Sequence, residues 1–161
     1  FMLASGLGAA ATIRVGNQRG LKDRENLRMA AFSAILLSLT FMGVAGILFS
    51  TQGAALAQLY IDEGHVIGAA ASLLLIAAIF QLSDGTQVVA LGALRGLEDV
   101  RIPTLITLFA YWIIGIPLGY YMAFYMDYQE RGIWYGLAVG LTISAVMLLT
   151  RFQLLSKRIV L

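Results

Sequence analysis

Long, nearly uncharged apolar runs constrain this chain more than any other feature. Several of them exceed the roughly 20 residues that an α-helix needs to cross a hydrocarbon core. Strands of a membrane barrel need only about 9–11 residues of alternating character, so runs this long and uniform indicate helices. The composition agrees, because 60% of the residues are hydrophobic and only 12% are charged. The sequence therefore predicts an all-α integral membrane protein built as a helical bundle.

The apolar runs divide into five predicted transmembrane helices. Their approximate bounds are residues 1–17, 29–49, 65–94, 103–125 and 133–155. Because the chain opens inside an apolar run, we expect it to be a fragment, one partial transmembrane lobe of a longer protein.

Between the second and third predicted spans, the polar residues 51–53 interrupt the apolar pattern. They predict a break, followed by a short interfacial helix over residues 54–61. Asp62 is a candidate N-cap for the next helix, since its carboxylate can accept from free N–H groups of a first turn.

Basic residues fall almost entirely on alternate sides of the predicted spans. Ten of the 11 Lys and Arg residues lie in the first loop, the third loop or the C-terminal flank, and Arg131 is the exception. Cytoplasmic segments carry such an excess of positive charge. The pattern predicts that these two loops and the C-terminus are cytoplasmic.

Asp84 is the only acidic residue of the third predicted span. A carboxylate there costs about 2.5–3.5 kcal/mol on insertion scales, and such groups are usually functional. On a helix, Gln81, Asp84 and Gln87 form a polar stripe, with Ser83 and Thr86 beside it. We interpret this group as a site for cation or proton coupling. The alternative is a carboxylate that only hydrogen-bonds a neighbouring helix.

The fourth predicted span carries two further candidates for function. Tyr111 and Trp112 are aromatic residues that can stack on a flat organic cation, or simply pack between helices. Gly115, Pro117 and Gly119 form a candidate hinge, because proline removes a backbone donor and kinks a helix. A static kink is the alternative.

Small residues spaced four apart indicate close helix packing. Gly115 and Gly119 form one such pair, and Gly136 and Gly140 of the fifth span form another. The first span is also rich in small residues, which predicts that another helix approaches it closely.

Two predicted cytoplasmic loops resemble each other. Residues 19–23 read Arg-Gly-Leu-Lys-Asp, and residues 95–99 read Arg-Gly-Leu-Glu-Asp. The match indicates a helix-pair repeat, although five residues can agree by chance. Within the second loop, Arg95 and Asp99 are predicted to pair.

Several function classes are disfavoured by what the sequence contains. It has no Cys and one His, which argues against disulfides and transition-metal clusters. We find no nucleophile–base pair or phosphate-binding loop, so an enzyme is not expected. The net charge of +2 gives no indication of nucleic-acid binding.

At its motifs the sequence resembles the MATE (multidrug and toxic compound extrusion) family of transporters. The resembling stretches are residues 11–17, residues 84–99, Pro103 and residues 111–117. The resemblance implies a twelve-helix fold in two lobes, of which this chain would supply helices 8–12. The N-terminal lobe and helix 7 would then be its missing partners.

The resemblance also implies a function. Family members expel small organic cations across the bacterial cytoplasmic membrane in exchange for Na⁺ or H⁺, with no other cofactor. Asp84 falls at the acidic position of helix 10 that is tied to coupling, which makes it a tentative Na⁺ ligand. An aromatic hydroxyl expected one turn earlier is replaced by Phe80, which weakens a direct Na⁺ cage.

Two other functions are compatible with a bundle of this kind. A flippase for a lipid-linked precursor would share the helices, but it should line its cavity with several Arg residues, and no span interior has one. A structural membrane subunit without transport is disfavoured by Asp84 and by the predicted break at Pro117.

Overall fold

The computed structural model describes residues 1–158, which fold into helices joined by short turns. The helices are α1 (Met2–Gly20), α2 (Arg24–Gln58), α3 (Gly64–Gly96), α4 (Arg101–Phe109), a π-helical segment (Ala110–Gly115), α5 (Ile116–Phe124) and α6 (Gln129–Arg158). The predicted all-α fold is confirmed.

Four helical segments of the described chain are long and apolar enough to cross a membrane. They are α2, α3, the continuous segment Arg101–Phe124 and α6. The first helix, α1, has 19 residues and becomes polar from Arg14 onward. Its role as a fifth membrane span therefore stays a prediction.

The predicted break between the second and third spans is present as a kink at Gln52. Helix α2 continues to Gln58, with non-helical dihedrals only at Gln52 (φ −118°, ψ 17°). Gly53, directly after the kink, is buried against α3, so the second helical segment also packs on the bundle. A short helical segment thus follows the break as predicted, although it ends at Gln58 and not at residue 61. The prediction of Asp62 as an N-cap is wrong, because α3 begins at Gly64 with Glu63 in the capping position.

Helix α3 lies at the centre and packs against α1, α2 and α6. Gly8 of α1 lies against Gly92, and Thr12 lies against Gly96, so α1 and α3 run in parallel. Helix α6 is also parallel to α3, whereas α2 and the α4–α5 segment run in the opposite direction. The C-terminal ends of α1, α3 and α6 therefore gather at one end of the bundle.

The best-packed core lies at that same end. Val15, Leu27, Leu94, Leu148 and Phe152 are fully buried there, with contributions from α1, α2, α3 and α6. Close packing of these side chains keeps the four helices in register.

Glycines set the closest approaches between helices. A Cβ atom at Gly92 would overlap the carbonyl oxygen of Gly8, and one at Gly96 would lie 2.7 Å from the carbonyl oxygen of Thr12. The expected close approach to the first span is thus confirmed. The two predicted glycine pairs of the fourth and fifth spans also face each other, because Gly136 and Gly140 lie directly against Gly115.

The two similar loops share one backbone conformation. Lys22 and Glu98 occupy equivalent positions and both have φ of 59°. In each loop the next N–H reaches back to a carbonyl in the preceding helix, from Asp23 to Gln18 and from Asp99 to Leu94, both at 3.0 Å. This is the Schellman ending, which usually has glycine at the left-handed position. The predicted repeat is therefore a structural one as well.

The last residue of each loop is used differently. The Asp23 carboxylate accepts from the backbone N–H of Asn26 at 3.0 Å and caps α2. That hydrogen bond, with a second from the Asn26 side chain, holds the pKa of the Asp23 carboxyl below its ordinary value. Asp99 instead contacts a neighbouring helix, as described below.

Candidate functional site

Asp84 lies in the third helix, α3, twelve residues before the end of the helix at Gly96. Its side chain is half-buried, and the described residues give it no hydrogen bond or ion pair. The predicted stripe runs from the partly exposed Gln81, through Asp84, to Gln87, which is only 6% exposed. The carboxylate is therefore flanked by amide groups along one face of the helix.

Gln87 connects this stripe to the fourth predicted span. The Tyr111 hydroxyl donates to Gln87 Oε1 at 3.2 Å. Gln87 follows Asp84 by one helical turn, and Tyr111 lies inside the π-helical segment Ala110–Gly115. The structure thus brings together three predicted site residues, Asp84, Gln87 and Tyr111, from two different elements.

The two hydroxyl residues beside Asp84 have other partners. The Ser83 hydroxyl lies 2.9 Å from that of Thr142 in α6. Thr86 is 8% exposed and donates to the carbonyl of Leu82 at 2.8 Å within its own helix. Both hydroxyls therefore bond away from the Asp84 carboxylate, and Thr86, two residues later, points about 200° around the helix from it.

Phe80 does not supply a polar group to this region. Its ring stacks on Trp134 of α6, with centroids 5.7 Å apart and planes 19° from parallel. The oxygen atoms on the face of Asp84 are therefore those of its own carboxylate and of the flanking amides of Gln81 and Gln87. Such oxygens suit a hard cation, while a proton needs only the carboxylate.

Tyr111 and Trp112 do not form a joint aromatic surface. Tyr111 is partly buried and faces Gln87, whereas Trp112 is 63% exposed on the outside of the bundle. Adjacent helical residues point about 100° apart, which explains the separation. Only Tyr111 joins the group around Asp84 within the described chain.

The candidate hinge coincides with a change of helix type. The π-helical segment ends at Gly115, and the N–H of Ile116 bonds to the carbonyl of Tyr111, five residues back. Pro117 is exposed and offers no N–H, whereas Gly115 and Gly119 are buried against α6. The sequence predicted a kink at the proline, and the structure shows a widened turn before it. Such turns are frequent at functional sites.

Two ion pairs join the helix ends at the basic end of the bundle. Arg19 Nη1 lies 3.0 Å from Glu98 Oε2, and Arg151 Nε lies 2.6 Å from Asp99 Oδ2. The predicted pair of Arg95 with Asp99 is wrong, because Arg95 points outward while Arg151 of α6 reaches the carboxylate.

Sequence reasoning missed three hydroxyl residues. Thr142 bonds Ser83, and the buried Ser38 and Ser144 have hydroxyls without a partner in the described chain. Ser38 packs against Gly85, the residue after Asp84. Polar residues on the faces of apolar helices were the available signal, but single serines and threonines are common in such helices and did not stand out.

Comparison with known proteins assigns this chain to a family. Residues 1–121 match the family model described as MatE. A probable multidrug resistance protein NorM of Agrobacterium fabrum is 43% identical over 98% of this chain. The multidrug resistance protein PmpM of Pseudomonas aeruginosa is 40% identical over 99% of it. The chain spans 35% and 34% of the length of these two relatives.

Solved structures show the same arrangement of helices. The eukaryotic MATE transporter AtDTX14 superposes with a TM-score of 0.84 at 26% identity, over 96% of this chain and 36% of its own. An inward-facing multidrug resistance MATE family transporter shares the fold, with a TM-score of 0.81 at 21% identity over 95% of this chain and 36% of its own. The chain is thus a multi-pass membrane protein that belongs to the MatE family, whose members are transporters and not enzymes.

Proposed function

We propose that this chain forms the cation-coupling part of a multidrug efflux transporter, in which Asp84 exchanges a proton or Na⁺ for drug. One observation carries the proposal: Asp84 is half-buried without a partner among residues 1–158, one turn from the Gln87 to which Tyr111 of the π-helical segment donates. The names of relatives from Agrobacterium and Pseudomonas, as multidrug resistance proteins, support the same function.

The proposed coupling follows from the energetic cost of an unpaired, ionised carboxylate at Asp84. An ionised carboxylate in a membrane span is expensive unless a cation or proton neutralises it. Binding and release of that cation therefore change which helix arrangement is favoured. A ligand shifts such an equilibrium only if its affinity differs between the two arrangements. Gln87 and Tyr111 join this site to the widened turn and Pro117, which we propose as the hinge with Gly115 and Gly119.

The drug pathway requires more chain than is described. Transporter sites usually lie between repeats near the membrane midplane. We propose that a facing lobe and a preceding helix complete the pathway, with Tyr111 and Trp112 available to organic cations. The proposed location is the bacterial cytoplasmic membrane, with the gathered ends of α1, α3 and α6 in the cytoplasm.

The test is ethidium efflux from cells that express the whole protein. Asp84→Asn keeps the shape of the side chain but cannot ionise, so gradient-driven efflux should fall to the background of cells without the transporter. Asp84→Glu keeps the charge about one methylene away and should retain part of the activity. Glu130→Gln, an exposed change outside the site, is the matched control and should pump like the parent.

Imposed gradients identify the coupling ion. Efflux that follows a pH gradient in Na⁺-free medium indicates protons, and efflux that follows a Na⁺ gradient at equal pH on both sides indicates Na⁺. If Asp84→Asn, at equal protein level, pumps as fast as the parent under either gradient, then Asp84 is only a hydrogen-bonding group and the proposal fails.

A further inference from the structure

A groove between α1 and α2 lies apart from the site around Asp84. Its volume is about 300 Å³, and it runs along the surface of the described helices toward the basic end. Polar residues line one end, namely Arg14, Gln18 and Asn26. Apolar residues that include Leu7, Ala10 and Leu37 line the other end. The groove is therefore amphipathic along its length.

The polar end offers a positive charge without a counter-charge. Arg14 is exposed and forms no ion pair within residues 1–158. Gln18 follows one turn later on the same face, and none of the described residues that line the groove is acidic. The neighbouring loop and first turn of α2 carry three basic residues against two acidic ones, Asp23 and Glu25, so their net contribution at this end is positive. The basic residues are Lys22, Arg24 and Arg28. An anionic group would be attracted here.

The apolar end extends into the predicted membrane span. Leu7 lies seven residues before Arg14, which corresponds to about 10 Å along a helix. Ala10 and Ala34 are small, so the wall is recessed between the larger Leu7 and Leu37. This shape suits a narrow hydrocarbon chain that lies parallel to the helices.

We propose that this groove binds one anionic phospholipid from the cytoplasmic leaflet. The phosphate contacts Arg14 and Gln18, and an acyl chain lies along Leu7, Ala10 and Leu37. A soluble anion would leave the apolar end empty, and a lipid without net charge would gain less from the surrounding basic residues. Basic segments at the membrane surface recognise anionic headgroups in this way.

Native mass spectrometry of the detergent-purified protein tests the proposal without any transport. The protein is titrated with dioleoyl phosphatidylglycerol and, separately, with dioleoyl phosphatidylcholine. The anionic lipid should bind more tightly to the parent. Arg14→Gln should weaken that binding about fivefold, the effect of one basic residue near a charged surface, while Arg14→Lys should largely retain it.

Two further variants test the apolar end of the groove and a charge outside it. Ala10→Phe keeps the charge but fills the apolar end, so it should also weaken phosphatidylglycerol binding. Arg101→Gln removes an exposed charge outside the groove and should bind like the parent. Glycerol 3-phosphate, which has no acyl chain, should not compete.

Three results would overturn the proposal. They are equal affinity of the parent for both lipids, unchanged phosphatidylglycerol binding by Arg14→Gln, and effective competition by glycerol 3-phosphate. Because the experiment measures lipid binding, its result does not depend on whether Asp84 couples transport.

Discussion

Asp99 and Arg151 show how much one pair of residues can depend on distant parts of the chain. They are 52 positions apart, and the guanidinium Nε donates to the carboxylate at 2.6 Å. Their side chains are 15% and 31% exposed, so the pair is partly shielded from water. A charge-assisted hydrogen bond in such a setting contributes more than an exposed ion pair does.

Removing one partner should therefore destabilise the protein. Asp99→Asn is expected to cost about 1.5–3 kcal/mol, the usual contribution of a hydrogen bond to a charged group. The measurement is the thermal unfolding midpoint of the detergent-purified protein. Arg95→Gln is the matched control, because Arg95 is exposed and should change stability by less than about 0.5 kcal/mol.

The two variants separate the observed pair from the pair that the sequence predicted. If Arg95→Gln lowered the midpoint as much as Asp99→Asn did, Arg95 and not Arg151 would be the partner of Asp99.

Single helices in this protein are positioned by where their backbones approach most closely. The α1–α3 interface is built on Gly8, Gly92 and Gly96, and the interface of α6 with the fourth span is built on Gly115 and Gly136. In lipid, helices associate through close packing and not through exclusion of water, which explains the recurrence of small residues. Thr12 adds a hydrogen bond of 2.8 Å to the carbonyl of Gly92 at the first interface.

A methyl group at these contacts should force the helices apart. Gly92→Ala would place a Cβ atom on the carbonyl oxygen of Gly8, so we expect a loss of about 1–3 kcal/mol, typical of overpacking. Gly6→Ala is the matched control on α1, because nothing lies within 4 Å of the position its Cβ would take.

Thermal unfolding of the purified variants gives the comparison. Gly6→Ala should leave the midpoint unchanged or raise it, since alanine favours helix more than glycine does. Equal loss of stability in the two variants would mean that helix contact is not what selects glycine at position 92.

Seen as a whole molecule, the bundle has two chemically different ends. One end is formed by the C-terminal ends of α1, α3 and α6, the N-terminal ends of α2 and α4, and the loops between them. It carries ten of the 11 basic residues and both of the ion pairs in the described chain. The opposite end carries the turn between α5 and α6, with Asp127 and Glu130. The parallel directions of α1, α3 and α6 explain why basic residues that are distant in sequence meet at one end.

This asymmetry predicts the orientation in the membrane. Single cysteines can be introduced as Lys22→Cys, Lys157→Cys and Gln129→Cys, at exposed positions of a chain that has none. In intact cells, a membrane-impermeant maleimide should label position 129 and should reach positions 22 and 157 only after permeabilisation.

Each outcome has a clear meaning. Labelling of position 22 from outside, with position 129 protected, would reverse the orientation. Labelling of positions 22 and 157 from opposite sides would contradict the fold itself, because the structure places both at one end.

The sequence by itself determined the helices and the place of the unusual residues within them. Hydropathy is a local property, so run length is enough to predict membrane helices, and the isolation of Asp84 is visible without a fold. Spacing also identified the glycine pairs and the repeated loop. These predictions needed only residues that are neighbours along one helix.

Only the tertiary structure decided which helix faces which partner. Tyr111 meets Gln87, Arg151 meets Asp99 and Ser83 meets Thr142 across separations of 24, 52 and 59 residues. Such contacts depend on the rotation of each helix about its axis and on where two backbones approach, and no local pattern contains that information. The same holds for the widened turn before Pro117, which lies where the fourth span packs against α6.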